Sequence, residues 1–319
     1  MTWLVTGGAG YIGAHVVRAL IADGHEVAVL DDLSTGFKER VPDGVPLIMG
    51  TVLDPAALAR AFGDHEVSGV VHLAGKKKVG ESVAEPLYYF HENVEGLRVL
   101  LAAMGEHGVR SLVFSSSAAA YGMPDVEFVT EDTPCAPLSP YGLTKLVGEQ
   151  MIAAAAVAQP LSYVNIRYFN VAGSASPELA DRGAANLIPL IFERVDAGLP
   201  PRIFGDDYPT PDGTGIRDYI HVADLAEAHT AAARRLIADP QTALTVNAGR
   251  GVGVSVREII QTVGSVIGEP GLTGAVEARR PGDPARSVAS ADRIREELGW
   301  TARRDVREMV ESAWAGWRR

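Results

Sequence analysis

Short apolar runs alternate with amphipathic stretches from the first residues of the chain onward. Runs rich in Val, Leu and Ile with little polar alternation predict buried parallel strands at Trp3–Thr6, Glu26–Leu30, Leu47–Met49, Gly69–Leu73 and Ser111–Phe114. After the first strand, a helix is predicted with one apolar face, formed by Val16, Val17, Leu20 and Ile21. Further helices are predicted near Pro55–Phe62 and Pro86–His107. This alternation indicates an α/β fold with a doubly wound parallel sheet, of the Rossmann type.

The pattern changes after about residue 170, where Gly and Pro become frequent in Pro200–Gly215 and polar residues dominate Glu277–Ser287. Helical patterns continue over Val222–Ala238, Val256–Ile267 and Asp305–Trp317. One late apolar run, Leu244–Asn247, is predicted to be a strand that returns to the first sheet. We therefore predict a Rossmann domain over residues 1–170 and a smaller α/β lobe over 171–319.

Composition narrows the class of protein. The 319 residues include 29 Lys and Arg against 40 Asp and Glu, a net charge of −11, which disfavours a nucleic-acid-binding surface. The single cysteine, Cys135, excludes a disulfide framework and a cysteine-based zinc site, and the histidines lack metal-ligand spacing, so no metal is expected. Neither a signal peptide nor a membrane-spanning run is recognised, so we expect a cytoplasmic protein.

A glycine-rich turn follows the first strand, with the spacing Gly7-x-x-Gly10-x-x-Gly13. Gly7 permits the tight turn, Gly10 lets the backbone approach a pyrophosphate, and Gly13 lets the helix pack closely on the strand. Asp31 ends the second strand 18 residues beyond Gly13, where a carboxylate can bind the adenosine ribose. That carboxylate, with no Arg in Asp32–Gly36, favours NAD over NADP. The alternative is a structural turn followed by a solvated Asp.

A second motif is Tyr141-Gly-Leu-Thr-Lys145, whose first and last residues share one helix face, with Pro140 suited to the helix start. An ammonium beside a phenol favours the phenolate, and lowering its pKa from about 10 by ~3 units requires ~4 kcal/mol. Ser115–Ser117 lie upstream, at the carboxyl end of a strand, where doubly wound sheets bind ligands. A serine hydroxyl there can bond a sugar oxygen and the phenol. The alternatives are a surface Tyr–Lys pair and serines that cap a strand end.

These and other segments resemble one known family over nearly the whole chain. The matching segments are VTGGAGYIG (Val5–Gly13), LDDLSTG (Leu30–Gly36), VGES (Val79–Ser82), FSSSAAAYG (Phe114–Gly122), SPYGLTK (Ser139–Lys145), RYFNVAG (Arg167–Gly173), NLIP (Asn186–Pro189), IFGDDYPTPDGTGIRDYIHVADLA (Ile203–Ala226) and RRPGD (Arg279–Asp283). The sequence resembles the UDP-galactose 4-epimerases (UDP-glucose 4-epimerases) of the extended short-chain dehydrogenase/reductase family. The block that ends in RDYIHV is the most specific of these segments.

The resemblance implies an NAD-dependent enzyme that inverts carbon 4 of a UDP-hexose through a transient 4-keto sugar. Tyr141 is then expected to take the proton of the sugar 4-hydroxyl, and Ser117 to bind and polarise that oxygen. Lys145 is expected to hold the nicotinamide ribose and to tune Tyr141. Residues 171–319 would form most of the UDP-sugar lobe.

The resemblance also implies a set of binding residues. The expected cofactor contacts are Gly7, Gly10, Tyr11, Ile12, Gly13, Asp31, Asp32, Ser34, Thr35, Thr51, Val52, Leu73, Ala74, Lys77, Asn93, Tyr141, Lys145 and Tyr168. The expected substrate contacts are Ser117, Tyr141, Asn170, Asn186, Leu187, Phe204, Arg217, Arg280, Asp283 and Ser287. Guanidinium groups match phosphate oxygens, so Arg217 and Arg280 suit the pyrophosphate, with surface ion pairing as the alternative. Asp283 suits a ribose hydroxyl.

Four departures from the family pattern bear on specificity. Thr51 stands where the family usually has Asp, so one adenine hydrogen bond is in doubt. Within Lys76–Lys78 only Lys77 matches, and Ala119 replaces a Thr near the sugar. Ser287 occupies the position where Tyr or a small residue gates the sugar pocket, which leaves N-acetylated hexoses open as substrates.

Other enzymes and binding proteins share this fold. Nucleotide-sugar dehydratases need an acid and a base where this chain has Ala118 and Ala119, and UDP-glucuronate decarboxylases usually carry a Glu at the second position. A non-enzymatic NAD-sensing regulator would tend to lose Tyr141 and Lys145. The family commonly dimerises through two helices, here with the apolar stripes Leu97, Leu100, Leu101 and Met104, and Leu146, Met151, Ile152 and Ala155. We therefore expect a homodimer, although such stripes also suit a core position.

Overall fold

The computed structural model describes residues 1–183, 186–280 and 282–318, so Pro281 of the RRPGD segment lies outside it. Its strands are β1 Thr2–Thr6, β2 Glu26–Asp31, β3 Leu47–Met49, β4 Val67–His72, β5 Ser111–Ser117, β6 Ser162–Tyr168, β7 Asn170–Ala172, β8 Arg202–Phe204, β9 Ile216–His221, β10 Ala243–Ala248, β11 Gly253–Ser255, β12 Ala275–Glu277 and β13 Arg286–Ser287. Its α-helices are α1 Tyr11–Ala22, α2 Pro55–Gly63, α3 Val79–Ala84, α4 Pro86–Tyr89, α5 Gly96–Glu106, α6 Pro140–Ala158, α7 Leu187–Asp196, α8 Val222–Ala238, α9 Val256–Ile267, α10 Asp292–Leu298 and α11 Val306–Trp317. No helix among these residues is long and apolar enough to cross a lipid bilayer.

A seven-stranded parallel sheet forms the centre, in the order β10-β6-β5-β4-β1-β2-β3. The predicted doubly wound α/β fold is confirmed, and Leu244–Asn247 does join this sheet, within β10. Because all seven strands are parallel, their carboxyl ends share one edge. Thr6, His72, Ser117 and Tyr168 therefore end neighbouring strands at the edge where such sheets bind ligands.

Apolar cores lie on both faces of the sheet. On one face α1 and α8 contribute Val16, Val17 and Leu225, and on the other α2, α5 and α6 contribute a second cluster that includes Leu58, Leu97, Leu100, Met104 and Ile152. The expectation that Ile21 lies on the buried face of α1 is wrong, because its side chain is 40% exposed. Residue 21 is rotated by about 100° from Leu20 and leaves the buried stripe.

The helix predicted over Pro86–His107 is present from Pro86 to Glu106, but it is not α-helical throughout. α4 ends at Tyr89, the residues Phe90–Glu95 form a π-helical segment, and α5 starts at Gly96. Single π turns within helices are frequent at functional sites because they re-aim side chains. This one carries Asn93, a predicted cofactor contact.

The later part of the chain adds two small sheets and a third core. β7, β9, β11 and β13 form one sheet, and β8 pairs with β12. The amphipathic helices α7, α9 and α11 pack together through Phe192, Ile259, Ile260 and Met309. α8 and β10 instead pack with the large sheet, so the chain crosses between the two parts more than once.

Candidate active site

The glycine turn after β1 has the backbone geometry that its sequence predicts. Gly7 has a φ of +73°, and a Cβ there would lie 2.8 Å from the Ala74 amide nitrogen. A Cβ at Gly13 would lie 2.1 Å from the Gly7 carbonyl oxygen, so α1 packs directly on the turn. Gly10 borders more open space, with only the Gly7 oxygen as near as 3.2 Å from a Cβ. This cradle and the free N–H groups at the start of α1 fit a dinucleotide pyrophosphate.

Asp31 and Asp32 have different environments at the end of β2. Asp31 is buried, and its carboxylate accepts hydrogen bonds from the backbone N–H groups of Ala9 at 2.9 Å and Leu33 at 2.8 Å. Burial raises the pKa of Asp31. Asp32 is exposed and accepts from the Ser34 N–H at 2.9 Å. Asp31 thus ties the glycine turn to the next loop, and a carboxylate retains further lone pairs for a ribose hydroxyl.

Asn93 connects the turn after β4 to helix α6. Its side-chain amide donates to the Lys76 carbonyl and to Thr144 Oγ1, each at 3.0 Å, and its Oδ1 accepts from the Lys76 N–H at 2.7 Å. The same turn contains Ala74, which touches Gly7. A chain of direct contacts therefore runs from the glycine turn through Asn93 to the helix that carries Tyr141.

The other predicted cofactor contacts differ in exposure. The exposed ones are Ser34, Thr35 and Lys77, the partly buried ones are Ile12, Thr51, Leu73 and Tyr168, and the buried ones are Tyr11 and Val52. Tyr11 uses its hydroxyl within the protein, since it donates to the Gly173 carbonyl at 2.6 Å. Thr51 Oγ1 accepts from the Leu53 N–H at 3.3 Å and so stabilises the turn before α2.

Helix α6 places Tyr141 and Lys145 against the end of β5. Pro140 occupies its first turn, and the Ser139 hydroxyl caps it by accepting from the Gly142 N–H at 3.1 Å. A Cβ at Gly142 would lie 2.4 Å from the Ala119 carbonyl oxygen, so the helix approaches the residues after β5 closely. Both predicted residues are buried, and Lys145 Nζ donates to the Ser115 carbonyl at 2.8 Å.

Burial acts on the pKa values of both Tyr141 and Lys145. Burial raises the pKa of Tyr141 above its usual value, and the Ser117 side chain acts in the opposite direction. Burial lowers the pKa of Lys145 to about 8, against the raising effect of the Glu149 carboxylate. In the polypeptide by itself, desolvation thus opposes the acidified phenol. That Lys145, with a bound nicotinamide, acidifies Tyr141 stays a prediction.

The three serines of β5 have three separate partners. Ser115 Oγ lies 2.7 Å from His229 Nε2, and the Ser116 hydroxyl donates to the Glu149 carboxylate. Ser117 ends the strand, and its Oγ accepts from the Ala119 N–H at 3.2 Å. The capping alternative thus describes part of the role of Ser117, whose hydroxyl hydrogen is still available for a ligand oxygen.

The predicted substrate contacts form two groups. In the first, Asn170 donates to the Asp218 carbonyl at 3.0 Å and Asn186 to the Asp181 carboxylate at 2.6 Å. These two asparagines and Leu187 line a cavity of about 60 Å³.

The second group lies on β8, β9, β13 and the segment before β13. Arg217 pairs with Asp283 at 3.2 Å, and the Arg280 guanidinium lies 3.7 Å from the centroid of the Phe204 ring. Ser287 is the register partner of Arg217. The ion-pairing alternative therefore describes Arg217, although its side chain is only 16% exposed.

Sequence reasoning missed two polar groups next to the predicted site. Glu149 is buried one helical turn beyond Lys145 and forms an ion pair with Arg167 at 2.5 Å. Asp218 is fully buried and accepts from three backbone N–H groups, and burial raises its pKa to about 6. The four-residue spacing of Tyr141, Lys145 and Glu149 was the available signal for the first of these groups.

Known proteins resemble the chain closely. The family model described as the NAD dependent epimerase/dehydratase family matches residues 3–249. A UDP-glucose 4-epimerase of Azospirillum brasilense is 44% identical, over 99% of this chain and 91% of that protein. A UDP-glucose-4-epimerase structure from Stenotrophomonas maltophila, with bound NAD and formylated UDP-arabinopyranose, has a TM-score of 0.95 at 40% identity, covering 100% of this chain and 98% of that one. A structure of a Bifidobacterium longum UDP-glucose 4-epimerase with NAD⁺ and UDP has a TM-score of 0.92 at 38% identity, covering 99% of this chain and 98% of that one.

Proposed function

Because the chain belongs to the NAD dependent epimerase/dehydratase family, we propose that it is a UDP-hexose 4-epimerase that interconverts UDP-glucose and UDP-galactose with bound NAD. The observation that carries this proposal is the path of contacts from Gly7 through Ala74 and Asn93 to α6. The glycine turn and the buried pair Tyr141 and Lys145 thus lie at one edge of one sheet, which supports a dinucleotide beside the pair. Such a site supports redox chemistry on a sugar hydroxyl.

In this proposal, residues at the ends of β1, β2 and β4 would hold the cofactor. The turn Gly7–Gly13 and the start of α1 would hold its pyrophosphate, and Asp31 and Asp32 its adenosine ribose. When bound, NAD supplies a hydride acceptor and the positive charge of its oxidised nicotinamide ring, which favours a nearby phenolate. Lys145 holds the nicotinamide ribose with the N–H donors that its bond to Ser115 leaves free.

Tyr141 is the general base of the reaction. Its buried phenol takes the proton from the 4-hydroxyl of the sugar and later returns a proton to the oxygen at the same carbon. Ser117 donates its hydroxyl hydrogen to that oxygen and polarises it. Burial keeps water away from the 4-keto sugar between the two steps.

The nucleotide part of the substrate supplies most of the binding. Arg217 and Arg280 hold the pyrophosphate, Asp283 holds a ribose hydroxyl, and Asn170, Asn186, Leu187 and Phe204 complete the site. Because the substrate is held through its nucleotide, the sugar is free to turn and to present its opposite face.

Ser287 widens the substrate range in this proposal. Its small side chain stands beside Arg217, where a Tyr would occupy space next to the sugar. We therefore include UDP-N-acetylhexosamines among the substrates. Dehydratase and decarboxylase activities are disfavoured, since the short helix Ala118–Tyr121 that follows β5 begins with alanines that cannot transfer protons.

The assembly, domain division and location form the remaining part of the proposal. We assign residues 1–170 to the NAD-binding domain and 171–319 mainly to the UDP-sugar lobe, and we place the protein in the cytoplasm as a homodimer. Of the two stripes that suggested the dimer, Leu97, Leu100, Leu101, Met104 and Ile152 belong to the core. Support comes instead from apolar side chains that α4 and α6 expose, namely Leu87 at 83% and Val157 at 90%.

The test is product analysis without added coenzyme. Purified protein is incubated with UDP-galactose and, separately, with UDP-N-acetylgalactosamine, and the products are identified by NMR. Inversion at carbon 4 is the expected result. Tyr141→Phe should abolish inversion while the protein still carries NAD, and near-normal activity of this variant would refute the base assignment.

A further inference from the structure

Glu149 extends the row of functional side chains on α6. Tyr141, Lys145 and Glu149 are spaced by four residues, so they lie along one helix face. Each meets β5: Tyr141 interacts with Ser117, Lys145 Nζ donates to the Ser115 carbonyl, and Glu149 accepts from the Ser116 hydroxyl. The first two residues serve the proposed reaction, whereas the third has no part in it so far.

Glu149 is held rigidly from the neighbouring strand. Arg167 is the register partner of Ser116 in the β5–β6 pair. Its Nε lies 2.9 Å from Glu149 Oε1 and its Nη2 lies 2.5 Å from Oε2, which is the paired geometry of a strong ion pair. The Arg167 guanidinium also stacks 4.7 Å from the ring centroid of Tyr121. With Glu149 6% exposed, this carboxylate is fixed in a dry environment where charge acts strongly.

The Lys145 ammonium needs such a charge. It is 6% exposed, and its other partners are a carbonyl oxygen and the face of Phe114, 5.0 Å from Nζ. Burial alone favours the neutral amine, and Glu149 is the carboxylate whose charge acts against that effect. The elements around this part of α6 carry the following titratable side chains: Glu81 on α3, Tyr88 and Tyr89 on α4, His91, Glu92 and Glu95 in Phe90–Glu95, Arg98 and Glu106 on α5, His72 on β4, Tyr121 after β5, and Tyr163, Arg167 and Tyr168 on β6.

These neighbours do not replace Glu149 as a counter-charge. Burial lowers the pKa of His72 to about 3, so its imidazole is neutral near pH 7. Burial raises the pKa values of Tyr89, Tyr121 and Tyr168, so the phenols are neutral as well. Glu81 accepts from the Tyr89 hydroxyl, and Glu95 pairs with Arg98 at the surface.

We propose that Glu149 is a positioning residue that keeps Lys145 in its ammonium form, while the Ser115 carbonyl orients the Nζ. Arg167 and Ser116 fix the carboxylate, the carboxylate keeps the ammonium charged, and the ammonium binds the cofactor ribose. The last of these steps rests on the proposed function. The first two concern the polypeptide and can be measured independently of turnover.

The direct test is the titration of Lys145 in the holoenzyme. Protein labelled with ¹⁵N-lysine gives an Nζ resonance for this residue, identified by its loss in Lys145→Met. The midpoint should lie near 8 in the parent protein and fall by roughly one unit in Glu149→Gln, the size typical of a close opposite charge. Glu95→Gln is the matched control, because it removes the same charge from a neighbouring, exposed segment and should leave the midpoint unchanged.

A purely structural role for Glu149 would give a different result. Glu149→Gln would then reduce stability, because it leaves a buried guanidinium unpaired, yet leave the Nζ midpoint in place. That outcome would overturn the proposal. Should Glu149→Gln not fold, the double variant Glu149→Gln/Arg167→Gln removes both charges. Its Nζ midpoint should still be lowered, by less than in Glu149→Gln because the opposing guanidinium charge is also removed, and an unchanged midpoint would equally refute the proposal. Glu149→Asp keeps the negative charge, so its Nζ midpoint should lie close to that of the parent protein.

Activity provides a second readout. In Glu149→Gln, the alkaline limb of the kcat profile should move to lower pH together with the Nζ midpoint, with KM for the UDP-sugar nearly unchanged. If the Nζ midpoint falls in Glu149→Gln but the parent protein epimerises no UDP-sugar, the role of Glu149 is supported and the proposed function is rejected. If the parent protein epimerises a UDP-sugar but the Nζ midpoint does not move in Glu149→Gln, the proposed function is supported and the role of Glu149 is rejected.

Discussion

Four buried histidines should make the protein sensitive to mild acid. Burial lowers the pKa of His15, His221 and His229 to about 4, and that of His72 to about 3. In the unfolded chain each would titrate near 6.5. Their folded pKa values are thus depressed, so protonation favours the unfolded chain, and stability present above about pH 6.5 is lost as the pH falls.

His229 is the residue in which to test this effect. It is fully buried on α8 and its Nδ1 lies 2.8 Å from the Leu225 carbonyl, so the ring is held in one tautomer, with Nδ1 as donor and Nε2 as acceptor from Ser115. A proton on Nε2 would require the Ser115 hydroxyl to accept instead of donate, and it would place a positive charge in a fully buried site. Linkage gives a loss of ~1.4 kcal/mol per buried histidine between pH 8 and pH 5.5.

The experiment compares His229→Gln with the parent protein at equal NAD content. Urea unfolding is followed by circular dichroism at pH 8 and at pH 5.5, and each free energy of unfolding is extrapolated to water. The variant should lose ~1.4 kcal/mol less than the parent protein between the two pH values, because it lacks one proton-binding group in the unfolded chain. Contributions from carboxyl groups such as Asp218 cancel in this difference. Equal losses in the two proteins would show that His229 is not the source.

Three further substitutions test the site, the substrate range and the assembly. Gly13→Ala places a Cβ 2.1 Å from the Gly7 oxygen, so the purified protein should lose most of its NAD, measured by absorbance after denaturation; full retention would contradict the cradle. Ser287→Tyr should reduce kcat/KM for UDP-N-acetylgalactosamine by roughly tenfold or more relative to UDP-galactose, and an unchanged ratio would reject Ser287 as the gate. Leu87→Glu should shift the protein from dimer to monomer in light scattering, whereas Val276→Glu on β12, where the apolar side chain is 49% exposed, should not; a dimeric Leu87→Glu would place the interface elsewhere.

The sequence predicted those parts of the fold that depend on local patterns. β1, the glycine turn and α1 follow from a short apolar run, three glycines and an amphipathic stripe. β6 was missed, because it alternates Val164 and Ile166 with the buried polar residues Asn165 and Arg167 and so lacks a continuous apolar run. Burial of a polar residue depends on partners distant in sequence, and local patterns do not contain them.

For the same reason, the sequence predicted where the site residues lie along the chain but not most of their contacts. The spacing of Tyr141 and Lys145 gave their shared helix face, but it gave neither the bond from Nζ to the Ser115 carbonyl nor the desolvation that sets the charge states. Likewise, the position of Asp31 after β2 was expected, whereas its bonds to Ala9 and Leu33 depend on how two loops meet. Whether each predicted contact binds its ligand stays a prediction.

The placement of β10 and α8 has a consequence for folding during synthesis on the ribosome. β6 gains its outer neighbour, and the face of the sheet beside α1 gains its cover, only after residues 222–248 have been synthesised. A nascent chain that stops at residue 170 exposes an unpaired strand and an uncovered apolar layer, the two features that promote aggregation. The seven-stranded sheet is therefore completed late, after about half of residues 171–319 have been synthesised.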